Sequence, residues 1–384
     1  MSGRILIRLM IVAIALAPAA CDRRPVASLP STAPTQPVLE LELKPLTPLL
    51  PNRMTHVAVD PLGNIYWVQE TDRADDTLFV IGEGDIPRAT QLSVANIAAA
   101  MDAPGGRGNI QGLAAGPGGE LYFFFSGTAG RRTLAGVGQF VPKTAQIRIL
   151  ADADALAAAT GMGLSLPLAR GSVVSDVRNV WVWVRHTDTS AIFRFDPRAL
   201  PRGGPIRLMK QFDAVTFNGK PIALTREEYE LSAGPDGTLM LLDPVAGRLI
   251  KIRGDGTATL VRSLLGLPKD LSTPAFDRRG QMLLFAANAE LIRRSAASDG
   301  DNAVPATAPP PLPKFDATFP AMLIFDGETL VTHIGRDDVL AYPGFPVFGM
   351  RLRQLVPHPS DEAWISYDAG SGELLRVKIH EKSW

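Results

Sequence analysis

The stretch that most constrains the fold is residues 56–68, HVAVDPLGNIYWV, because the pattern it carries is repeated along the chain. An apolar run, a turn rich in Gly, Pro or Asp, and a second run of β-branched or aromatic residues together specify a β-hairpin. The unit returns as GLAAGPGGELYFFF (112–125), SVVSDVRNVWVWV (172–184), LSAGPDGTLMLL (231–242), TPAFDRRGQMLLF (273–285), MLIFDGETLVT (322–332) and LVPHPSDEAWISY (355–367). A third apolar strand follows most copies, as in TLFVIG, GQFVPK and RLIKIRG, and a fourth often follows, as in QIRIL and ATLVRSL. The turns lie about 35 to 60 residues apart, the period of a repeat of about four strands. Such a repeat cannot bury both faces of its sheet alone and must stack against its neighbours.

Seven matching hairpins predict an all-β fold, a β-propeller of seven blades, with six as the alternative. The second residue of the second strand is Tyr66, Tyr122, Trp181, Met240, Leu283 and Trp364 in six of the copies. Large side chains at one repeated position suit the surface where blade packs on blade, so these residues are assigned to inter-blade core. A propeller must also close its ring. The alternating segment LELEL (39–43) has the pattern of a half-exposed strand, and pairing it with ELLRVKI (373–379) would complete the last blade. That pairing places Glu40 and Glu42 near Arg376 and Lys378. Residues 39–384 are therefore expected to form one propeller domain.

The unit VAVDPLGNIYWV, together with GLAAGPGGELYF, resembles the repeat of NHL-type propellers and of the related virginiamycin B lyase and regucalcin/gluconolactonase groups. The resemblance covers nearly all of residues 50–384 as architecture. It implies the fold and leaves function open, since such a scaffold hosts binding proteins and enzymes alike.

Export is written into the N-terminus. Arg4 and Arg8 form a basic region, LMIVAIALA (9–17) is apolar but too short to span a bilayer, and small residues follow. The single cysteine, Cys21, comes directly after Ala19 and Ala20, so residues 1–20 resemble a bacterial lipoprotein signal peptide with Cys21 as the lipid-bearing residue. Pro18 departs from the usual Leu three positions before the cysteine. The alternative is an ordinary secretory signal cut after Ala19 or Ala20, which leaves a free thiol. Asp22 resembles the residue that in some bacteria retains a lipoprotein at the inner membrane. Residues 21–38 carry Pro25, Pro30, Pro34 and Pro37 without an apolar period and read as a tether, reaching ~50 Å at about 3.1 Å per residue. The protein is thus expected to be exported, facing the periplasm or the cell exterior, and held to the membrane by its lipid alone.

Charge argues against nucleic acid as a partner. The 39 basic and 39 acidic residues balance, and no Lys/Arg cluster supplies a phosphate-neutralising surface. A working face is expected where long connections gather: 92–110, 151–170, 213–230 and 296–320, the first two reading as short helices capped by Ser93 and Asp152. Aligning the inner strands sets His56 level with Gly112, Gly171, Glu230, Thr273, Ala321 and Gln354, with Thr55, Gln111, Tyr229 and Ser272 one residue earlier. The expected ligand-binding rim is Arg107, Asn109, Gln111, Tyr229 and Thr273, taking a protein or small-molecule ligand. His56 and Glu230 are the catalytic candidates of a competing reading, a metal-assisted hydrolase or lyase. No cofactor is expected. A divalent metal enters only through the gluconolactonase resemblance, and hard cations need many oxygen ligands. GPGGE and GGRGN open no helix, RGD (253–255) is a hairpin turn, and G-x-S-x-G, HExxH and CxxC are absent. Radiolabelled fatty acid is expected to enter the wild type and not Cys21→Ala; label in both proteins would contradict the lipoprotein assignment.

Overall fold

The computed structural model describes residues 38–46, 54–70, 75–82, 86–160, 170–176, 179–186, 189–195, 210–212, 214–217, 220–223, 230–234, 237–243, 247–255, 257–264, 267, 270–286, 320–327, 329–341, 350–359 and 362–382. The expected signal segment, most of the expected tether and Tyr229 lie outside them. Val38–Trp384 forms one compact unit. Among the described residues no helix is long and apolar enough to cross a membrane.

Six four-stranded antiparallel sheets make the propeller. Blade one is Met54–Val59, Ile65–Gln69, Thr77–Ile81 and Arg88–Ser93, and blade two is Arg107–Ala115, Leu121–Ala129, Arg132–Val141 and Gln146–Asp152. Blade three is Arg170–Ser175, Val180–His186, Thr189–Phe195 and Lys210–Phe212; blade four is Glu230–Ala233, Leu239–Asp243, Arg248–Ile252 and Ala258–Ser263. Blade five is Ala275–Phe276, Met282–Phe285, Pro320–Asp326 and Thr329–Gly335. Blade six is Val356–Pro357, Ala363–Tyr367 and Leu374–Glu381, with Leu39–Pro45 as its fourth strand. Val339–Ala341 adds a parallel strand outside Leu39–Pro45.

The count of seven is therefore corrected to six. MLIFDGETLVT does not open a blade; it is the third and fourth strands of the blade that TPAFDRRGQMLLF begins. Both turns carry an Asp and a Gly, and residues 287–319 separate the two halves so widely in sequence that each reads as a repeat. The connection at 296–320 accordingly runs within blade five and not between blades. The other long connections do join blades. Ser93 caps the helix Val94–Ala100, its hydroxyl accepting from the Asn96 N–H at 3.3 Å, and Asp152 accepts from the Ala155 N–H at 2.9 Å at the start of Ala153–Thr160. Residues 213–230 contain a small hairpin, Ala214–Phe217 with Lys220–Ala223.

Six apolar cores alternate with the six blades around the ring. Tyr66 packs between blades one and two, Tyr122 between two and three, Trp181 between three and four, Met240 between four and five, and Leu283 between five and six. Trp364 breaks the sequence-based register: it faces blade five, and Ile365 takes the position equivalent to Tyr66. The turn of blade six holds one extra residue, closing with His358 N–H to Ala363 O where blade one closes with Asp60 N–H to Asn64 O. A one-residue slip moves every following side chain to the opposite face.

Turn chemistry repeats with substitutions. Asp60 Oδ1 accepts from the Leu62 and Asn64 N–H groups, each at 2.9 Å, and Oδ2 accepts from the Tyr66 hydroxyl at 3.2 Å. Asp176 and Asp277 play the same part in blades three and five. Blade two has Gly116 at that position, and Glu120 reaches back from the far side of the turn to accept from the Tyr122 hydroxyl at 3.0 Å. A Cβ on Gly116 would collide with that carboxylate, so Gly and Glu act here as a matched pair.

The ring is closed by the N-terminal strand, in register from Leu39 opposite Glu381 to Pro45 opposite Leu375. Leu41 and Leu43 are 0% and 1% exposed and join the core between blades five and six. The expected charge partners shift by one pair. Glu42 stands opposite Lys378, but its carboxylate lies 2.7 Å from His380 Nε2, and Glu40 meets Lys382 Nζ at 3.4 Å. Each acid thus reaches the diagonal neighbour two residues on, a distance long side chains span in an antiparallel pair. In urea unfolding, Leu41→Ala and Leu43→Ala are each expected to lose about 2–5 kcal/mol; losses under about 1 kcal/mol would mean that this strand is not part of the core.

Candidate functional site

The inner strand of each blade leaves one backbone edge facing the central channel, and unpaired amides there need partners. At three junctions a side chain of the preceding blade supplies one. Gln354 Oε1 accepts from the Val57 N–H at 2.9 Å, Gln111 Oε1 from the Gly171 N–H at 3.0 Å, and Thr273 Oγ1 from the Leu355 N–H at 3.4 Å. The Gln111 amide also donates to Ser126 Oγ at 2.6 Å. Gln111, Thr273 and Gln354, three members of the polar ring expected from sequence, therefore stitch blade to blade. Thr273 is buried, with its hydroxyl engaged in this stitching, and it also borders the channel cavity. Ala321 does not belong to the ring, because it lies on the third strand of blade five. Counting from the turns, Ser172 and not Gly171 is level with His56.

Two positions of this register carry titratable groups. His56 on blade one and Glu230 on blade four stand three blades apart in a ring of six, at opposite sides of the axis. Surrounding protein lowers the His56 pKa from 6.5 to about 4, so the imidazole is neutral at pH 7. Burial raises the Glu230 carboxyl above its ordinary value, and the Arg353 guanidinium partly offsets this. Arg353 Nη1 lies 3.8 Å from Glu230 Oε1, with the two side chains 36% and 33% exposed to the channel. A pair so open and so long contributes little to stability, which leaves both charges available to a ligand. Arg353 was not singled out from the sequence, although it directly precedes Gln354 and so lies in the adjacent register. Arg107 and Asn109 are exposed at the start of the inner strand of blade two, on the same side of the ring as the long connections.

Among the described residues, the donors at this level offer a divalent cation few free oxygens. Glu230 is the carboxylate at this level and stands beside a guanidinium, while the oxygens of Gln111, Thr273 and Gln354 already accept backbone N–H groups. Among the described residues no group of three or more His, Cys, Asp or Glu converges. Hard cations require several free oxygens at once.

At its other end the channel widens into a cavity of about 600 Å³, lined by the later residues of the inner strands and the turns that follow. Val57, Leu113, Val173, Leu231, Phe276 and Val356 contribute to its wall. His358 is at its mouth, with Nε2 3.3 Å from Gly63 O, so the last blade touches the first here as well. The sequence reading gave this end no role.

Among solved structures the chain is similar to a structural-genomics protein of unknown function from Bacteroides thetaiotaomicron VPI-5482, with a TM-score of 0.50 and 11% identity over 89% of this chain and 76% of that one. Virginiamycin B lyase from Staphylococcus aureus matches at a TM-score of 0.45 and 11% identity, over 88% of this chain and 99% of that one. A gluconolactonase from Xanthomonas campestris matches at 0.48 and 14%, over 88% and 89% of the two chains. No protein-family model matches the chain, and no curated protein matches it in sequence. Identities this low speak to architecture, and the propeller expected from the repeat is the fold found.

The displaced His56 titration has a definite sign. In the unfolded chain His56 takes its proton near 6.5, whereas the folded protein does so only near 4, so stability falls as the pH drops between these values. Proton NMR is expected to place the His56 midpoint near 4, and His56→Gln to flatten this part of the stability profile. A midpoint near 6.5 would contradict the enclosed position.

Proposed function

We propose that the protein is a lipid-anchored, envelope-facing β-propeller that binds a protein or small-molecule ligand at the mouth of its channel, on the side of the long connections. The observation that supports this most is the division of labour in the polar register. Gln111, Thr273 and Gln354 are occupied in joining blades, while His56 on one side and the Glu230–Arg353 pair on the other are not. An imidazole able to accept or donate a hydrogen bond faces a carboxylate and a guanidinium across the axis, which suits a polar ligand bearing both donors and acceptors. The helices Val94–Ala100 and Ala153–Thr160 belong to the long connections that lead into the inner strands of blades two and three on this side of the ring. Loops on a rigid scaffold are where recognition is commonly placed.

The second reading is a hydrolase or lyase using His56 and Glu230. It is favoured by the opposed titration shifts, since a neutral imidazole and a carboxyl of raised pKa at one level resemble a base and an acid kept apart by environment. Among the described residues no cluster of carboxylates or histidines favours its metal-assisted form.

Capture from envelope extract on immobilised wild-type protein is expected to retain a specific ligand or partner. Glu230→Gln combined with Arg353→Ala should weaken that retention at least about tenfold, equivalent to about 1.4 kcal/mol. Equal retention by wild type and variant would overturn the assignment. Turnover of a lactone or ester panel by the wild type and not by His56→Ala would favour the enzyme.

A further inference from the structure

The cavity at the turn side of the channel coincides with two other features. Leu62 and Ile86 are 76% and 85% exposed, the largest values for large apolar side chains among the described residues. Leu62 is in the Asp60–Asn64 turn, and Ile86 lies between the end of the third strand of blade one at Ile81 and the start of the fourth at Arg88. Strand direction puts both on the cavity side. The chain also leaves the propeller on this side. Leu39 pairs with Glu381 at the end of blade six, and Val38 O accepts from the Lys382 N–H at 2.7 Å. Val38, the first described residue, therefore stands on the face that carries the cavity mouth.

Single exposed apolar residues are ordinary on soluble proteins. Here two project beside an apolar opening, on the face from which the expected lipid tether departs. The tether, ~50 Å at about 3.1 Å per residue, has the reach to let this face meet the bilayer it is tied to. Charges on this side include both signs, as in the exposed Arg278–Glu362 pair at 3.6 Å, so a zwitterionic lipid surface is the fitting partner and not a strongly anionic one.

We propose that the turn face is a lipid-facing surface, on which Leu62 and Ile86 seat in the bilayer interface and the central cavity admits an acyl chain. The cavity, at about 600 Å³, falls within the size range of small-molecule sites and has an apolar wall suited to such a chain. Seating this face on the membrane leaves the opposite mouth, with His56, Glu230 and Arg353, open to the solvent. The inference rests on the lipid-anchor part of the proposed function.

The full lipidated protein would be reconstituted into phosphatidylcholine–phosphatidylethanolamine vesicles whose acyl chains carry bromine, a quencher of tryptophan fluorescence. Three variants place a reporter at chosen depths: Leu62→Trp on the turn face, Phe276→Trp in the cavity wall, and Ala99→Trp on the exposed surface of the helix at the opposite side. After subtraction of the parent signal, Leu62→Trp and Phe276→Trp are expected to be quenched at least about twofold more than Ala99→Trp, as interfacial burial requires. Vesicle flotation without preferential quenching of Leu62→Trp overturns the docking and leaves the anchor standing. Quenching of Leu62→Trp alone overturns entry of the acyl chain. Failure to float overturns the anchor itself. Retention of quenching differences in water-soluble brominated acid but not in vesicles would assign the cavity to a free apolar molecule and overturn the membrane docking.

Discussion

Each sheet of this protein has two apolar faces, and only a closed ring buries all of them. That constraint governs the rest of the structure. Six inter-blade cores form a continuous circuit, and the last is completed by a strand from the other end of the chain, carried by Leu41 and Leu43. Without that strand blade six would expose the edge of Leu374–Glu381 and one end of its core. Closure also fixes the geometry of the channel. In a ring of six, blades one and four oppose one another, so His56 and Glu230 face a common axis although they are far apart in sequence.

The polar groups of the channel serve two purposes that the same residue cannot readily combine. Inner strands have an exposed edge, and a Gln or Thr from the previous blade satisfies it. These contacts tie blade six to blade one, blade two to blade three and blade five to blade six along the channel wall. The residues left over, His56, Glu230 and Arg353, sit where burial shifts titration without removing access. The result is a polar mouth on the side of the long connections and an apolar cavity on the side of the turns, which gives the two ends of one channel different chemistry.

Much of this architecture was legible because hairpin turns leave a local mark. Asp60 to Gly63 specifies its turn through bonds made within five residues, and the same marks at Asp176 and Asp277 place two further blades. What misled was also local. The turn at Asp326 carries the same residue types, Asp and Gly, as a blade-opening turn, although it lies between outer strands. Trp364 was placed on the wrong face because one extra turn residue reverses the alternation. The site was less legible than the fold. Gln111, Thr273 and Gln354 have the same polar character as a ligand-binding set, and only their cross-blade partners show that they are structural. The cavity was invisible for a related reason: Val57, Leu113 and Leu231 read as ordinary strand residues, and the space between them exists only once the ring closes.

Ring closure by residues 39–45 is the claim on which both mouths of the channel depend. Native-state hydrogen exchange tests it directly, because a strand paired on both sides opens only with the structure that holds it. Amides of residues 39–44 are predicted to exchange as slowly as those of 374–381, their partners in blade six, with 41–43 the slowest because they also pair with Val339–Ala341. Exchange of 39–44 at the rate of an exposed segment, with 374–381 still protected, would contradict the closed ring and with it the placement of His56 opposite Glu230.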